Sequence, residues 1–134
     1  MDRTNEARRF FAADIYATET TGIVIDHAEG NYARCTLDVL PCHMNANGTV
    51  MGGVLFTMAD FAFAVAANYG ETPDTVSVSA NIQYLHPARG PRLVSETKCV
   101  KDGRSLCVYE VTITDEEQGR PVAKSVITGL RKAK

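Results

Sequence analysis

The sequence lacks the features that identify several broad classes of protein. Its net charge of −2 over 134 residues gives no basic surface that would attract nucleic acid or an anionic membrane. The N-terminal sequence MDRTNEARRFFAADIYA is charged and has no continuous apolar core, so it is not typical of a secretory signal. The longest apolar run carries an acid and is too short to span a bilayer. We therefore expect a cytoplasmic protein that binds neither nucleic acid nor membrane.

Cysteine and histidine are few and scattered. The four cysteines have no CxxC spacing, and without an export signal we expect them to be reduced thiols. The three histidines are isolated from one another, so the sequence predicts no metal site, and we expect no cofactor. His43 directly follows Cys42, but neighbours in sequence seldom face each other, so a nucleophilic cysteine is disfavoured.

The order of patterns along the chain predicts a single domain, residues 1–134. A short amphipathic helix over residues 4–17 is followed by two strands, one long apolar helix and four further strands. The turns Glu29-Gly30-Asn31 and Asp102-Gly103 are typical of hairpins, and Gly70 is suited to end the long helix. The predicted strands cover residues 21–28, 32–40, 75–85, 92–101, 104–115 and 121–130.

The long helix is the most informative element. Between Val54 and Ala67 only Thr57 and Asp60 have polar side chains, so we expect the helix to be buried nearly all round. A helix of about 18 residues spans roughly 27 Å, which is enough to cross a whole sheet. The sequence therefore predicts an α+β fold, in which an antiparallel sheet of about six strands wraps around one long central helix.

The start of this helix and its acid indicate chemistry. Gly52 and Gly53 open the helix, where free backbone N–H groups and the positive end of the helix dipole suit a developing oxyanion. Burying the Asp60 carboxyl costs several kcal/mol unless a partner compensates. Catalysis is one reason to keep such an acid, and a structural hydrogen bond is the alternative. Gly52 and Gly53 also have a structural interpretation, in which they only permit close packing against the sheet.

A longer motif surrounds the helix start. It follows the pattern N-x-x-G-x-x-H-G-G, with a carboxylate seven residues beyond the second glycine, except that Met51 replaces the histidine. The matching residues are Asn45, Gly48, Gly52, Gly53 and Asp60. Together with the sequence TVSVSANIQYLHP at residues 75–87, the motif resembles the hotdog-fold acyl-CoA thioesterases, in the PaaI-like branch related to phenylacetate-pathway thioesterases. The resemblance extends over about residues 21–130.

The resemblance implies a hotdog fold and hydrolysis of an acyl-CoA thioester to the free acid and coenzyme A. In the family's arrangement, Asp60 would attack the thioester carbonyl or activate a water, and the Gly53 N–H would polarise the carbonyl oxygen. Asn45 would position the water or the carbonyl. Ser77 on the next strand would assist, although a serine is more often an ordinary strand residue. Each site would lie across the interface of a homodimer or homotetramer.

Four further residues are expected to bind substrate. Gly52 and Met51 adjoin the oxyanion donor, and Lys101 and Arg104 would meet the coenzyme A phosphates, where the family often places basic residues. The simpler interpretation of the two basic residues is that they solubilise the end of a hairpin. Asn45 also has a structural interpretation, in which it only forms a turn in a polar loop.

Two other functions stay open at this point. A non-catalytic protein that binds acyl-CoA or another small ligand is consistent with Met51, because a thioether donates no hydrogen bond and accepts only weakly. A hotdog acyl dehydratase or hydratase would pair a loop histidine such as His43 with a helix acid five residues beyond the glycine. Asp60 lies seven residues beyond Gly53. Two residues turn a helix by about 200°, so the acid would face the wrong way for that reaction.

Overall fold

The computed structural model describes residues 1–69 and 74–132, and within them a six-stranded antiparallel sheet packs against one long helix. The predicted α+β arrangement is confirmed. The predicted helix over residues 4–17 is divided instead, because the first helix ends at Phe11 and a separate π-helical segment follows. In chain order the elements are α1 (Thr4–Phe11), the π-helical segment (Tyr16–Thr21), β1 (Val24–Glu29), β2 (Tyr32–Asp38), a 3-10 turn (Pro41–His43), α2 (Gly52–Ala67), β3 (Thr75–Tyr84), β4 (Arg92–Asp102), β5 (Leu106–Asp115) and β6 (Arg120–Arg131).

The order of the strands leaves β3 at an edge. Across the sheet the strands follow the order β1-β2-β4-β5-β6-β3. Strands β4, β5 and β6 form a meander of consecutive hairpins, whereas β3 pairs with β6 across a long sequence separation. A bulge between Ser77 and Ser79 shifts the register of β3 against β6. Within the described residues, one side of β3 is therefore left without a strand partner.

The core lies between α2 and the inner face of the sheet. On β5 the side chains of Tyr109, Val111 and Ile113 are fully buried, as the two-residue period of a strand requires when one face is covered. Phe63 from α2 packs edge-to-face on Tyr109, with the ring centroids 5.7 Å apart. Each large apolar side chain buried in this way contributes about 1.5–3 kcal/mol to stability. This packing fixes the position of α2 against the sheet.

Gly129 allows β6 to approach the helix closely. A Cβ atom at this position would lie 2.7 Å from the Phe63 Cζ and 2.8 Å from the Cys107 Sγ, which is closer than real Cβ contacts. The absence of a side chain here is therefore a packing requirement of the contact between the sheet and α2.

One face of α2 is not covered by the rest of the chain. Gly53, Phe56, Thr57, Asp60 and Ala64 recur at spacings of three and four residues, and all are exposed or half-buried. The expectation that the helix is buried nearly all round is therefore wrong for the single chain. The described elements pack against the opposite side of α2 and leave the face that carries the acid open.

Two arginines from distant parts of the chain hold the C-terminal end of α2. Arg3 Nη2 donates to the Val65 carbonyl at 2.7 Å, and Arg131 Nη1 donates to the Ala67 carbonyl at 3.2 Å. Because α2 contains no basic residue of its own, these guanidinium groups satisfy its last carbonyls and oppose the negative end of its dipole. The predicted cap at Gly70 lies outside the described residues.

The hairpin predicted at Asp102-Gly103 is wider than two residues. Asp102 pairs with Cys107 in the register of β4 and β5, and the Gly103 N–H donates to the Leu106 carbonyl at 2.9 Å. A bulge shortly before the turn offsets the two strands, so the turn is longer. It therefore includes Arg104, which the sequence pattern assigned to a strand.

Candidate active site

The open face of α2 places its acid in a pocket of about 300 Å³. Asp60 is half-buried there, and the wall opposite α2 is formed by residues 14–17, which lie between α1 and the start of the π-helical segment. The lining residues are Asp14, Ile15, Tyr16, Ala17, Thr57, Asp60, Phe61 and Ala64. A small molecule can therefore reach the predicted catalytic acid through a pocket with largely apolar walls.

The surroundings of Asp60 favour its protonated form. Burial raises the pKa of the Asp60 carboxyl, and the nearby Asp14 carboxylate raises it further. Interaction with the Ser77 hydroxyl lowers the pKa and offsets part of this effect. The structure thus brings Ser77, on the edge strand β3, close to Asp60 on α2. An acid with a raised pKa is a stronger base when ionised, and perturbed carboxyls of this kind occur often at functional sites.

The first turn of α2 presents free backbone donors. The Val54 and Leu55 N–H groups donate to the Met51 carbonyl at 3.0 and 3.4 Å, whereas neither the Gly52 nor the Gly53 N–H has an acceptor among the described residues. The Met51 N–H donates to the His43 carbonyl at 2.9 Å, and the Met51 side chain is 53% exposed. The residue that replaces the motif's histidine is therefore a surface side chain at the helix start.

Asn45 organises its own loop. Its side-chain Oδ1 accepts hydrogen bonds from the backbone N–H groups of Asn47 at 2.9 Å and Thr49 at 3.1 Å, and its Nδ2 donates to the Thr49 Oγ1 at 3.0 Å. Asn45 also lines a second pocket, of about 430 Å³, together with Gly52 and Tyr84. Asp60 does not line that pocket, so a single chain does not bring Asn45 and Asp60 into one site.

Lys101 and Arg104 lie at the turn between β4 and β5. This turn is beside the C-terminal end of α2, where the Tyr69 hydroxyl donates to the Asp102 carboxylate at 2.6 Å. Gly53 and the last residue of α2, Ala67, are 14 residues apart, which corresponds to about 21 Å along the helix. Within one chain the two basic residues are therefore not near the helix start, and their role in substrate binding stays a prediction.

Comparison with known proteins assigns the family. The family model described as the thioesterase superfamily matches residues 47–122, which is more than half of the chain. The chain belongs to this superfamily. Acyl-coenzyme A thioesterase PaaI of Escherichia coli is 30% identical over 98 residues, which are 72% of this chain and 69% of that protein. The predicted PaaI-like branch of the hotdog thioesterases is confirmed.

Other members of the superfamily cover most of the chain. A putative esterase from Deinococcus radiodurans is 32% identical over 117 residues, which are 87% of this chain and 79% of that protein. The structure of a hypothetical thioesterase protein with coenzyme A from Streptococcus pneumoniae superimposes with a TM-score of 0.83 at 26% identity, over 95% of this chain and 98% of that one. The hotdog fold is thereby confirmed. Among the relatives from curated sequences, the chain spans between 55% and 79% of their length.

In this thioesterase-superfamily chain, His43 is held by the backbone on both sides. Its Nδ1 accepts from the Leu40 N–H at 2.9 Å, and its Nε2 donates to the Thr21 carbonyl at 2.7 Å. The side chain is buried, and no ring nitrogen is left for the exposed Cys42. His43 therefore joins the π-helical segment to the loop before α2. It is not placed to serve as the loop histidine of a dehydratase or as the base of a cysteine nucleophile.

Sequence reasoning missed the residues that face Asp60 across the pocket. The sequence pattern placed Ile15 and Tyr16 inside the predicted amphipathic helix over residues 4–17, whereas both line the pocket and are 52% and 66% exposed. Asp14 was not singled out, since a lone acid near the end of a predicted helix carries no local signal. Only the packing of this segment against α2 brings it to the site.

The described residues of this superfamily member contain neither a metal-ligand cluster nor a membrane-spanning helix. Among residues 1–69 and 74–132, no group of three or more His, Cys, Asp or Glu side chains is placed to hold a metal ion. In the same part of the chain, no helix combines the length and apolar composition that a membrane crossing requires.

Proposed function

We propose that the protein hydrolyses an acyl-CoA thioester to the free acid and coenzyme A. The observation that carries the proposal is the position of Asp60, an acid with a raised pKa that lines a pocket on the open face of an otherwise apolar helix. Relatives named acyl-coenzyme A thioesterase, and a similar structure with coenzyme A, support the same class of reaction.

The proposed reaction requires few groups. Asp60, in its ionised form, either takes a proton from a water that attacks the thioester carbonyl carbon, or attacks that carbon itself. In the second case coenzyme A leaves from an acyl-aspartyl anhydride, and water then cleaves the anhydride to the free acid and restores Asp60. Ser77 orients the Asp60 carboxylate in either case. The Gly53 N–H donates a hydrogen bond to the carbonyl oxygen as that oxygen gains negative charge. Gly52 and Met51 contact the substrate beside it. Coenzyme A departs as a thiolate, and because a thiolate is a good leaving group, the reaction needs no strong general acid.

The proposal includes a homodimer or homotetramer with shared sites. The edge strand β3 has ten residues, and its Val76, Val78 and Tyr84 side chains are exposed. A long edge with exposed apolar side chains favours pairing with a strand of another chain. A two-fold dimer made in this way would satisfy the edge and would combine Asn45 of one protomer with Asp60 of its partner.

Replacing the acid tests the proposed reaction. Asp60→Asn removes the nucleophile or base but keeps the size of the side chain, so kcat should fall by at least about 100-fold while ligand binding is retained. The measurement is release of free thiol from a panel of acyl-CoAs, detected with a thiol reagent. Asp38→Asn, which changes an exposed acid at the end of β2, is the matched control and should leave turnover unchanged. Full turnover by purified Asp60→Asn would contradict the assignment.

A binding protein without catalysis is the second candidate function. Two observations favour it: Met51 stands where the family pattern has histidine, and the Asn45 side chain makes three hydrogen bonds within its own loop. Such a protein would bind acyl-CoAs saturably and release no thiol. The same panel therefore separates the two functions when binding and thiol release are both measured.

A further inference from the structure

The wall opposite Asp60 is anchored by the core. Phe11, the last residue of α1, is buried and packs edge-to-face on Phe61 of α2, with the ring centroids 5.9 Å apart. Ala17 is buried as well, so the chain between these two positions is fixed at both ends against the body of the protein. Ile15 and Tyr16 lie between the two anchors and line the pocket. The pocket beside Asp60 thus has a defined second wall.

Asp14 has a defined position in this wall. Its N–H donates to the Phe11 carbonyl at 2.9 Å, and its own carbonyl accepts from both the N–H and the Oγ1 of Thr18, each at 2.9 Å. Asp14 is an exposed residue that lines the pocket, and no salt bridge among the described residues pairs its carboxylate with a cation. The pocket therefore contains two carboxyl groups, Asp60 from α2 and Asp14 from the facing wall.

We propose that the Asp14 carboxylate selects the acyl group of the substrate, admitting uncharged acyl groups of modest size and excluding those that end in a carboxylate. The inference rests on the proposed hydrolysis, which places the thioester carbonyl at Asp60 and hence the acyl group in the adjoining pocket. Asp14 acts here as a specificity-determining residue. It takes no part in the bond-breaking step.

Volume, polarity and charge all favour this selection. A pocket of about 300 Å³ lies at the lower end of the range for small-molecule sites, so it suits a short chain or a single ring. Ile15, Tyr16, Phe61 and Ala64 offer apolar surface to such a group. A terminal carboxylate would instead lose water among apolar side chains and face the negative charge of Asp14. None of the described residues that this chain contributes to the pocket lining is a cation that could compensate.

Two substrates of similar length test the selection. Hexanoyl-CoA and glutaryl-CoA differ mainly in the negative charge at the end of the acyl chain. For the wild-type protein we expect kcat/KM to favour hexanoyl-CoA strongly. Asp14→Asn should reduce this preference by about tenfold, through a lower KM for glutaryl-CoA, because it removes one like charge from the lining of the pocket. Glu19→Gln is the matched control, since it removes an exposed acid of the π-helical segment that does not line the pocket.

Two other measurements can replace the ratio of kcat/KM values where turnover is too slow. If glutaryl-CoA is hydrolysed too slowly to measure, its inhibition constant against hexanoyl-CoA gives the same comparison. If neither thioester is hydrolysed, equilibrium binding of the two compounds to the three proteins replaces the kinetic ratio. A preference that is equal in wild type and Asp14→Asn would overturn the inference. Activity that survives Asp60→Asn would instead overturn the catalytic role of Asp60. Absence of thiol release by the wild-type protein from every acyl-CoA tested would overturn the proposed hydrolysis, so these failures are distinguishable from failure of the inference about Asp14.

The pH dependence of kcat/KM is a second measurement. A purely structural role of Asp14 would leave it unchanged. Among the described residues, Asp14 is the charged group that acts on Asp60, and the Ser77 hydroxyl is the other polar group that interacts with it. Asp60 must be ionised to act, so kcat/KM should rise with pH through its raised pKa. Because Asp14 raises that pKa, Asp14→Asn should shift the rise toward lower pH, and Glu19→Gln should not. An unshifted profile in Asp14→Asn would contradict the electrostatic effect of Asp14 on Asp60.

Discussion

Asp60 and Asp115 both lie against a largely apolar core, yet their surroundings shift their pKa values in opposite directions. Burial would raise the pKa of Asp115, but hydrogen bonds from the backbone N–H groups of Arg89, Gly90 and Gln118 outweigh this and hold the pKa below its usual range. Asp60 has no comparable set of donors, so burial dominates and its pKa is raised. At the scale of single residues, Asp115 is therefore a structural carboxylate, whereas Asp60 has the properties of a reactive one.

Met51 provides a prediction at the same scale. Because its side chain is 53% exposed, Met51→His should fold normally and change the free energy of unfolding by less than about 0.5 kcal/mol. If histidine supports the helix start in this family, thioester turnover should rise or substrate preference should shift. Thermal unfolding and the acyl-CoA panel are the measurements.

Met58→His is the control for Met51→His. Met58 lies on the buried side of α2 with no exposed surface, so the imidazole would be left without partners there. We expect a loss of about 2–4 kcal/mol in the free energy of unfolding. If Met51→His were as destabilising as Met58→His, Met51 would have to be a packed residue, contrary to its exposure.

At the scale of elements, the contact between β6 and α2 sets the distance from the sheet to the helix that carries Asp60. Gly129→Ala should lower the free energy of unfolding by about 1–3 kcal/mol, because its Cβ atom would overlap the ring of Phe63. In a Phe63→Leu background the same substitution should cost less, since the shorter side chain leaves room. Urea unfolding of the two single variants and the double variant measures this coupling. Effects that add within about 0.3 kcal/mol would rule out the overlap with Phe63 and would leave the Cys107 Sγ and Thr75 Cγ2 as the atoms that resist the added Cβ atom.

The secondary-structure elements could be predicted from the sequence, but not how they pack against one another. The order of the elements and the apolar character of α2 are local patterns, and they were sufficient for the fold class. The open face of α2 was not predictable, because Thr57 and Asp60 are the only polar side chains among its exposed positions. Which side of an apolar helix remains uncovered depends on how the sheet packs, as does the position of Asp14 beside Asp60. The motif indicated the acid, but the second wall of its pocket depends on tertiary contacts.

At the scale of the whole molecule, shared sites predict complementation between two inactive variants. Asn45→Asp keeps the Oδ1 acceptor that holds the loop but removes the amide donor, and Asp60→Asn removes the acid, so each alone should be nearly inactive. After mixing, unfolding and refolding, random pairing makes about half of all dimers mixed. Each mixed dimer has one intact site and one doubly altered site. About a quarter of all sites should therefore regain the original composition.

Thiol release after refolding measures the complementation, and subunit exchange is verified with one differently tagged variant. Each variant refolded alone serves as the control. Recovery toward about a quarter of the wild-type rate would support sites that are shared between protomers. Mixed dimers that are no more active than either parent would indicate that each site lies within one chain, or that Asn45 and Asp60 do not act together.

The pairing of β3 with β6 also fixes the order in which the protein can be assembled during its synthesis. The ribosome completes β3 at Tyr84, yet the strand that receives it ends at Arg131. At about 5–20 residues per second, β3 waits roughly 2–9 seconds with both of its edges unpaired. Until then Ser77 has no fixed position beside Asp60. The pocket wall at Asp14 is among the first segments translated. Ser77, which interacts with Asp60 from β3, is held in place only when the last strand, β6, pairs with β3.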